Sequence, residues 1–185
     1  MKLFFYSTLV IASTHVTSFA FSQNNQPTDT SGSPSLGFEL VKFQDDFGFG
    51  LQMTSPYFFS NTLGLQVSVA QNYFTDYVSP TTGHNRWEHY QTGRVGIVGG
   101  RIVSDLFRLY SYAGALIVRP GNKLSSKDLF LGGYANFGFE FLSAKSQSLF
   151  LEYGLTATNA VAEKISTKPI FVNGHYSAAG IRVYL

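Results

Sequence analysis

Apolar and polar residues alternate along most of the chain after its first 35 residues. The clearest case is the stretch 63–70, in which Leu63, Leu65, Val67 and Val69 alternate with Gly, Gln, Ser and Ala. Successive side chains of an extended strand point to opposite faces, whereas a helix would place apolar residues three and four apart. The pattern therefore predicts a β-strand with one apolar face.

The same alternation predicts eight strands. They span residues 36–43, 47–54, 62–77, 88–103, 107–118, 129–142, 148–158 and 175–185. The facing of the fifth strand stays open, and Arg101 interrupts the fourth, which indicates a bulge or the end of that strand. Short turns at 56–61, 104–106 and 144–147 alternate with longer loops at 79–87, 119–128 and 159–173, although the first hairpin at 44–46 is tight. This arrangement is typical of membrane barrels, with both termini on the short-turn side.

The composition of the polar face distinguishes between two kinds of barrel. A soluble lipocalin-like barrel also alternates, but its apolar face points inward and its polar face meets water. Here charged residues are only 13% of the chain, and the polar face carries mainly Gly, Gln, Ser, Thr and Tyr. Small residues suit the crowded lumen of a barrel of about eight strands. We therefore predict an all-β fold, an eight-stranded antiparallel up-and-down transmembrane β-barrel, with a secreted lipocalin-like binder as an alternative.

The first residues are expected to be an export signal. Lys2 precedes the apolar stretch 3–12, and Ala20-Phe21-Ser22 looks like the small-residue site at which signal peptides are cleaved. We predict a cleaved signal peptide at 1–22, a flexible segment at 23–35 and an outer-membrane β-barrel at 36–185. The sequence contains no cysteine, which excludes disulfides and thiolate metal sites, and its net charge of +2 does not favour nucleic acid as a partner.

A few charged residues of both signs lie on the predicted lumen face. They are Glu39, Glu140 and Glu152 against Arg94 and Arg182. A buried carboxylate without a partner is costly, and a nearby guanidinium lowers that cost. We predict a lumenal ion-pair network of these five residues, with a position at the water-exposed rim as the alternative for some of them.

Aromatic residues near strand ends are candidates for the girdles that mark the two membrane interfaces. The candidates are Tyr57, Phe58, Phe59, Tyr73, Phe74 and Tyr77. Packing in loops or in the core is the alternative for each of them.

The last strand carries a resemblance to known membrane proteins. Ile181, Val183, Tyr184 and Leu185 resemble the terminal signal by which the barrel-assembly machinery recognises outer-membrane barrels, with Leu185 where Phe is usual. The stretch 36–185 resembles the small eight-stranded outer-membrane barrels of the OmpA and OmpX type. The segments 132–141 (GGYANFGFEF) and 168–185 (KPIFVNGHYSAAGIRVYL) are similar to stretches of uncharacterised barrels of this kind. The resemblance implies an outer-membrane location, with membrane lipid and lipopolysaccharide as partners, and no known activity.

His175 and Ser177 are the strongest candidates for catalysis. They share one face of the last strand, and their His-x-Ser spacing is similar to that of lipid A deacylases, which are small barrels with a serine hydrolase site. That resemblance would make Ser177 the nucleophile and His175 its base. Asn-Ala follows the serine in that family, whereas Ala178 and Ala179 follow here, and no carboxylate lies beyond Ser177 to orient the histidine. We therefore expect no enzymatic activity.

The predicted function is a non-enzymatic structural or surface-interaction role in the outer membrane, without a cofactor. A narrow lumen filled by Tyr, Gln, Glu and Arg argues against a general pore. The alternatives are a barrel for permeation of small solutes or lipids, a lipid A-modifying hydrolase, and the secreted lipocalin-like binder. No metal site is expected at His84, Glu88 and His89, because histidine spacing in or beside a loop is weak support for one.

Overall fold

Eight antiparallel strands form a closed barrel in the computed structural model, which describes residues 32–78, 83, 85–144 and 146–185. The strands are β1 Ser35–Phe43, β2 Asp46–Thr54, β3 Leu63–Val78, β4 Asn85–Ser104, β5 Phe107–Arg119, β6 Phe130–Ala144, β7 Gln147–Thr158 and β8 Gly174–Tyr184. Each strand pairs with the next, and β8 pairs with β1 to close the ring. The predicted fold class is confirmed.

The strand ends differ little from the predicted ones. The largest difference is at β4, which begins at Asn85 rather than at 88. Ser35, which the sequence placed in the flexible segment, is the first residue of β1. The pairing of β4 with β5 is irregular between Ile102 and Ser104, directly after Arg101. The signal peptide predicted at 1–22 and most of the segment 23–35 lie outside the described residues and stay predictions.

The outside of the barrel is apolar and the inside is polar. Leu51 and Leu151 point outward and are 53% and 61% exposed, whereas their neighbours Gln52 and Glu152 point inward and are 1% and 4% exposed. A soluble lipocalin-like barrel has the opposite arrangement, so the secreted binder does not fit this fold. An apolar exterior fits the hydrocarbon of a membrane. No helix among the described residues is long and apolar enough to span a membrane.

The two ends of the barrel differ. Ser35 pairs with Tyr184, so the first and last strands meet at the end that carries the short turn between β4 and β5. The loops 120–129 and 159–173 lie at the opposite end, which we call the outer end. The β1–β2 hairpin also turns at the outer end, through Gln44 and Asp45 alone.

The loop between β7 and β8 folds back over the outer opening of the lumen. Ala160 and Ala162 have no exposed surface, and the Phe171 ring lies 5.1 Å from that of Tyr90 and 6.3 Å from that of Phe130. We call this apolar cluster the mouth cap. Its members are Phe74, Tyr90, Phe130, Ala160, Ala162 and Phe171. The mouth cap separates the polar lumen from the outer surface.

Two aromatic residues predicted for the girdles point inward instead. Tyr57 is buried beneath the guanidinium of Arg108, and Phe74 belongs to the mouth cap. The girdle prediction is wrong for these two, because nearness to a strand end does not determine the face to which a ring points, and the even-numbered residues of β3 point inward. Of the other candidates, Phe58 and Phe59 are exposed, Tyr73 is partly exposed, and the Tyr77 side chain lies outside the described residues.

Replacing Leu51 by Arg should destabilise the barrel, because Leu51 lies near the centre of β2 on the outer face. An arginine on this face costs about 2–4 kcal/mol near the membrane midplane and about 0–1 kcal/mol near an interface. We expect Leu51→Arg to lower the free energy of unfolding by the larger amount, measured by guanidinium titration in phospholipid vesicles. Val103→Arg, at the exposed end of β4, is the matched control and should cost the smaller amount. Equal losses in the two variants would contradict a membrane-spanning β2.

Candidate functional site

Two clusters of buried ion pairs occupy the lumen. In the cluster nearer the outer end, the Arg94 guanidinium forms an ion pair with Glu39. It also donates hydrogen bonds to Ser68 Oγ at 2.8 Å, to Tyr112 OH at 3.0 Å and to Tyr176 OH. These partners lie on β1, β3, β5 and β8, so one arginine on β4 connects its two neighbouring strands with two strands across the lumen.

The second cluster lies nearer the short turns and is centred on Glu140. The Oε2 atom of Glu140 is 3.1 Å from an Arg182 nitrogen and 3.3 Å from an Arg108 nitrogen. The Oε1 atom accepts hydrogen bonds from Ser148 Oγ and Tyr184 OH. Both oxygens of this carboxylate are therefore satisfied, which is the condition under which a buried charge is tolerated.

Glu152 joins the two clusters. Its carboxylate accepts hydrogen bonds from Tyr110 OH and Tyr112 OH, each at 2.8 Å, and lies 3.9 Å from Arg182. Because Tyr112 OH also accepts a hydrogen bond from Arg94, a continuous polar chain runs from Arg94 through Glu152 to Arg182. All five residues that the sequence predicted for a lumenal network are buried in the lumen, and their charges meet within these two clusters.

Arg108 was not among the five predicted residues, although it is as deeply buried as they are. With it, three glutamates meet three arginines, and the formal charges of these two clusters balance. The facing of β5 could not be assigned because both of its faces carry aliphatic residues. Only the register between β5 and β6 would have identified Arg108, because it places this residue opposite Glu140.

Aromatic rings fill the space around the guanidinium groups. The distances from guanidinium carbon to ring centroid are 4.7 Å for Arg94 over Tyr176, 4.9 Å for Arg182 over Phe150 and 5.0 Å for Arg108 over Tyr57. Such contacts stabilise a desolvated cation. Gly138 makes room for this packing, since a Cβ atom there would lie 2.4 Å from the Tyr110 ring. The lumen is thus packed as a polar core.

The structure places His175 and Ser177 on the outer face of β8, as the sequence predicted. The Nδ1 atom of His175 is engaged by Tyr153 OH at 2.7 Å, and the two rings stack. Among the described residues, no hydrogen bond links Ser177 to His175. The arrangement therefore lacks the contact through which a histidine would take the proton of a nucleophilic serine.

The residues of the predicted assembly signal divide between the two faces of β8. Ile181, Val183 and Leu185 are exposed on the outer face, where they continue the apolar surface. Tyr184 points inward, and its hydroxyl binds Glu140.

The predicted absence of a metal site concerns the region around β4. Within the described ranges, no group of three potential metal ligands comes together. His89 Nδ1 lies 3.9 Å from Glu88 Oε1. The other carboxylate oxygen of Glu88, Oε2, lies 3.0 Å from Lys123 Nζ. His84 lies outside the described residues.

The outer loops 120–129 and 159–173 hold each other through a set of contacts that we call the loop clasp. Glu163 accepts hydrogen bonds from the backbone N–H of Ser126 at 2.9 Å and from its hydroxyl. The Lys164 ammonium donates to the carbonyl of Asn122 at 2.7 Å, and its backbone N–H donates to that of Leu124 at 3.1 Å. The hydrogen bonds from Ser126 lower the pKa of Glu163 below its usual 4.5.

No protein-family model matches the sequence, and no curated protein sequence matches it either. Solved structures match its fold. The N-terminal β-barrel domain of OprF from Pseudomonas aeruginosa aligns with a TM-score of 0.52 at 12% identity, over 83% of this chain and 98% of that one. OprG, an outer membrane protein of the same organism, aligns with a TM-score of 0.51 at 10% identity, over 87% and 99%. A de novo designed transmembrane β-barrel aligns with a TM-score of 0.51 at 16% identity, over 87% and 98%.

The chain has the fold of a transmembrane β-barrel. At these identities the likeness concerns the fold alone, and the designed barrel demonstrates that this fold forms without an evolved function.

Replacing Arg108 by Met should destabilise the barrel, because Glu140 would keep one guanidinium partner instead of two. Breaking a buried ion pair on one side costs about 3–5 kcal/mol, and the remaining Arg182 should keep the loss near the lower value. We expect a matching fall in the free energy of unfolding in vesicles. The cost of Arg108→Met should be smaller when Glu140 is already replaced by Gln than when it is present. An equal cost in the two backgrounds would show that Arg108 does not act through Glu140.

Replacing Glu163 by Gln should loosen the loop clasp, because a neutral amide oxygen accepts hydrogen bonds more weakly than a carboxylate. We expect amide hydrogen exchange in loops 120–129 and 159–173 to be faster by roughly fivefold at pH 7. Because the folded protein lowers the pKa of Glu163, the carboxylate stabilises the loop clasp fully above pH 4.5. This stabilisation is lost as the pH falls through the pKa of Glu163 in the folded protein. Wild-type protection should therefore drop only below pH 4.5. The control Asp128→Asn, an exposed acid in the facing loop 120–129, should leave exchange unchanged; an equal effect would exclude a specific clasp.

Proposed function

We propose that the protein is a closed, non-enzymatic barrel of the outer membrane that serves as a structural or surface-interaction protein and not as a pore. The observation that carries the proposal is the filling of the lumen along its length. The charged clusters around Arg94 and Glu140 fill the middle and the short-turn end, and the mouth cap covers the outer end.

The charged clusters in the lumen and the apolar mouth cap both disfavour permeation of solutes. An ion that crosses the lumen would have to separate pairs such as Arg94 and Glu39, and breaking a buried pair costs about 3–5 kcal/mol. It would then meet the apolar layer formed by Phe171 and the fully buried Leu116 and Val118. A charged solute finds no hydrogen-bond partners in such a layer.

Hydrolysis of lipid is disfavoured by the geometry on β8. The ring nitrogen of His175 that faces the protein is already bound to Tyr153. Ser177 has no base within hydrogen-bond distance among the described residues. The test is direct: lipid A from cells that carry Ser177→Ala should have the same mass spectrum as lipid A from cells that carry the wild-type protein.

The loop clasp favours surface interaction over a purely structural role. Two outer loops that are joined to each other present a defined surface, and a preformed surface loses less conformational entropy on binding than mobile loops do. The exposed charges of this surface are Lys123, Lys127, Asp128, Lys164 and Lys168, together with Glu163 of the clasp. Their mixed signs do not favour a strongly charged polymer as the partner.

A barrel that spans the outer membrane also contacts membrane lipid and the machinery that inserts it. We propose that lipid and lipopolysaccharide surround the apolar exterior, and that the barrel-assembly machinery recognises the last strand. Ile181, Val183 and Leu185 support this, because they present an apolar edge at the end of β8.

The first test is conductance in planar lipid bilayers. Because the lumen is filled, we expect no steady conductance steps from the purified barrel under conditions in which a general porin inserted in parallel conducts. Phe171→Ala, which opens the mouth cap but leaves the ion pairs of Arg94 and Glu140, should also remain silent. Steps from the wild-type protein would overturn the proposal in favour of permeation.

A second test separates surface interaction from a structural role. Residues 122–127 and 163–168 are replaced by Gly-Ser segments of equal length, which removes the loop clasp and leaves the strands intact. A deletion strain is then complemented with either version and scored for cell aggregation and detergent resistance. Surface interaction predicts that only the wild-type loops restore aggregation, whereas a structural role predicts that both versions restore the same properties.

A further inference from the structure

The outer face of strands β3, β4 and β5 carries a groove that interrupts the apolar exterior. In one row of the sheet, Val69 on β3 pairs with Gly93 on β4, which pairs with Ile117 on β5. The missing side chain at Gly93 leaves a depression between the two aliphatic neighbours. The open groove around it has a volume of about 680 Å³ and extends to Phe49 and Leu51 on β2.

Packing inside the protein does not require glycine at position 93. A Cβ atom built there would have no neighbour closer than 4.0 Å. By contrast, a Cβ atom at Gly138 on the inner face would collide with Tyr110. Glycine in the interior of a strand lowers stability and often marks a place where a ligand approaches the backbone closely. Gly93 therefore leaves room for something outside the chain.

A polar row borders the groove on its outer side. Gln71 on β3 pairs with Gln91 on β4, which pairs with Arg119 at the end of β5. All three side chains line the groove, and the two glutamine amides are joined at 3.3 Å. Phe47, Tyr73 and Trp87 form an aromatic cluster just beyond this row, toward the outer end. Aromatic residues of this kind mark the level of lipid headgroups.

Arg119 has no acidic partner within the part of the chain that the structure describes. Each of the lumenal arginines, in contrast, lies within 4.0 Å of a carboxylate. An exposed guanidinium at headgroup level matches the geometry of a phosphate, to which it can donate two parallel hydrogen bonds. The positive charge of Arg119 at this end of the groove therefore favours binding of an anion from outside the protein.

We propose that this face of the barrel binds one phosphorylated acyl lipid from the surrounding leaflet. An acyl chain lies in the groove over Gly93, and the phosphate lies at Arg119 with the amides of Gln71 and Gln91 as further donors. A second copy of the chain fits this surface less well. Two-fold pairing would bring two Arg119 side chains together, and the groove supplies no acidic residue to oppose them. Lipid binding at this face requires only that the barrel spans a membrane. Its test is therefore independent of whether the lumen conducts ions.

The test is native mass spectrometry of the folded barrel in detergent, with diphosphoryl lipid A as the added probe. We expect one bound lipid on the wild-type protein. Arg119→Met should weaken binding about tenfold, as expected for the loss of a charge-assisted contact, and should not change the weaker binding of the same lipid without its phosphates. Gly93→Val, which adds a side chain where a Cβ atom has no neighbour closer than 4.0 Å, should weaken the binding of both lipids by filling the groove.

Matched controls lie on other parts of the same outer face. Gly133→Val introduces the same side chain at an outward glycine of β6, and Lys42→Met removes a cation near the outer turn of β1. Both should bind lipid A like the wild-type protein, and all variants should keep the mobility shift on boiling that identifies a folded barrel. Unchanged binding by Arg119→Met and Gly93→Val would overturn the proposal, as would equal losses in the controls. A protein dimer that Gly93→Val dissociates would assign the groove to a second copy instead.

Discussion

The requirement that every backbone amide in a membrane find a partner within the protein governs this structure. Hydrocarbon offers no hydrogen bonds, so a sheet that crosses it cannot have free edges. The pairing of β8 with β1, from Ser35 opposite Tyr184 to Phe43 opposite Tyr176, removes both edges of the sheet. The alternation of side chains then places one set in lipid and the other in the lumen, and the remaining features follow from that division.

A ring of only eight strands leaves a lumen that side chains fill. Charges in that space are far from water, and the three glutamates and three arginines of the two clusters are tolerated because each lies within 4.0 Å of an opposite charge. Glu140 with its two arginines and two hydroxyls is the clearest case. The tyrosines serve twice, as hydrogen-bond partners of carboxylates and as flat surfaces over guanidinium groups. The lumen therefore behaves as the core of the protein.

A filled lumen leaves two surfaces on which the barrel can act. One is the pair of clasped outer loops, which rest on the mouth cap and face the medium. The other is the lipid-facing exterior, where the polar row of Gln71, Gln91 and Arg119 breaks the apolar pattern beside Gly93. Both surfaces are held by regular strands or by packed loops, which favours recognition by preformed contacts.

The sequence alone was sufficient for the strands, for their number and for the outward direction of the apolar face. The reason is local: a strand alternates with a period of two, and the polar residues in this chain are too small and too rarely charged to face water. The same rule identified the five predicted lumenal charges. It did not identify Arg108, because both faces of β5 carry aliphatic residues. Nearness to strand ends, a separate criterion, wrongly placed Tyr57 and Phe74 at the interfaces although both lie inside. Which arginine meets which glutamate depends on the register between strands, and the position of Phe171 depends on how a long loop folds back over the lumen. These are contacts between residues far apart in sequence, and only the closed tertiary structure determines them.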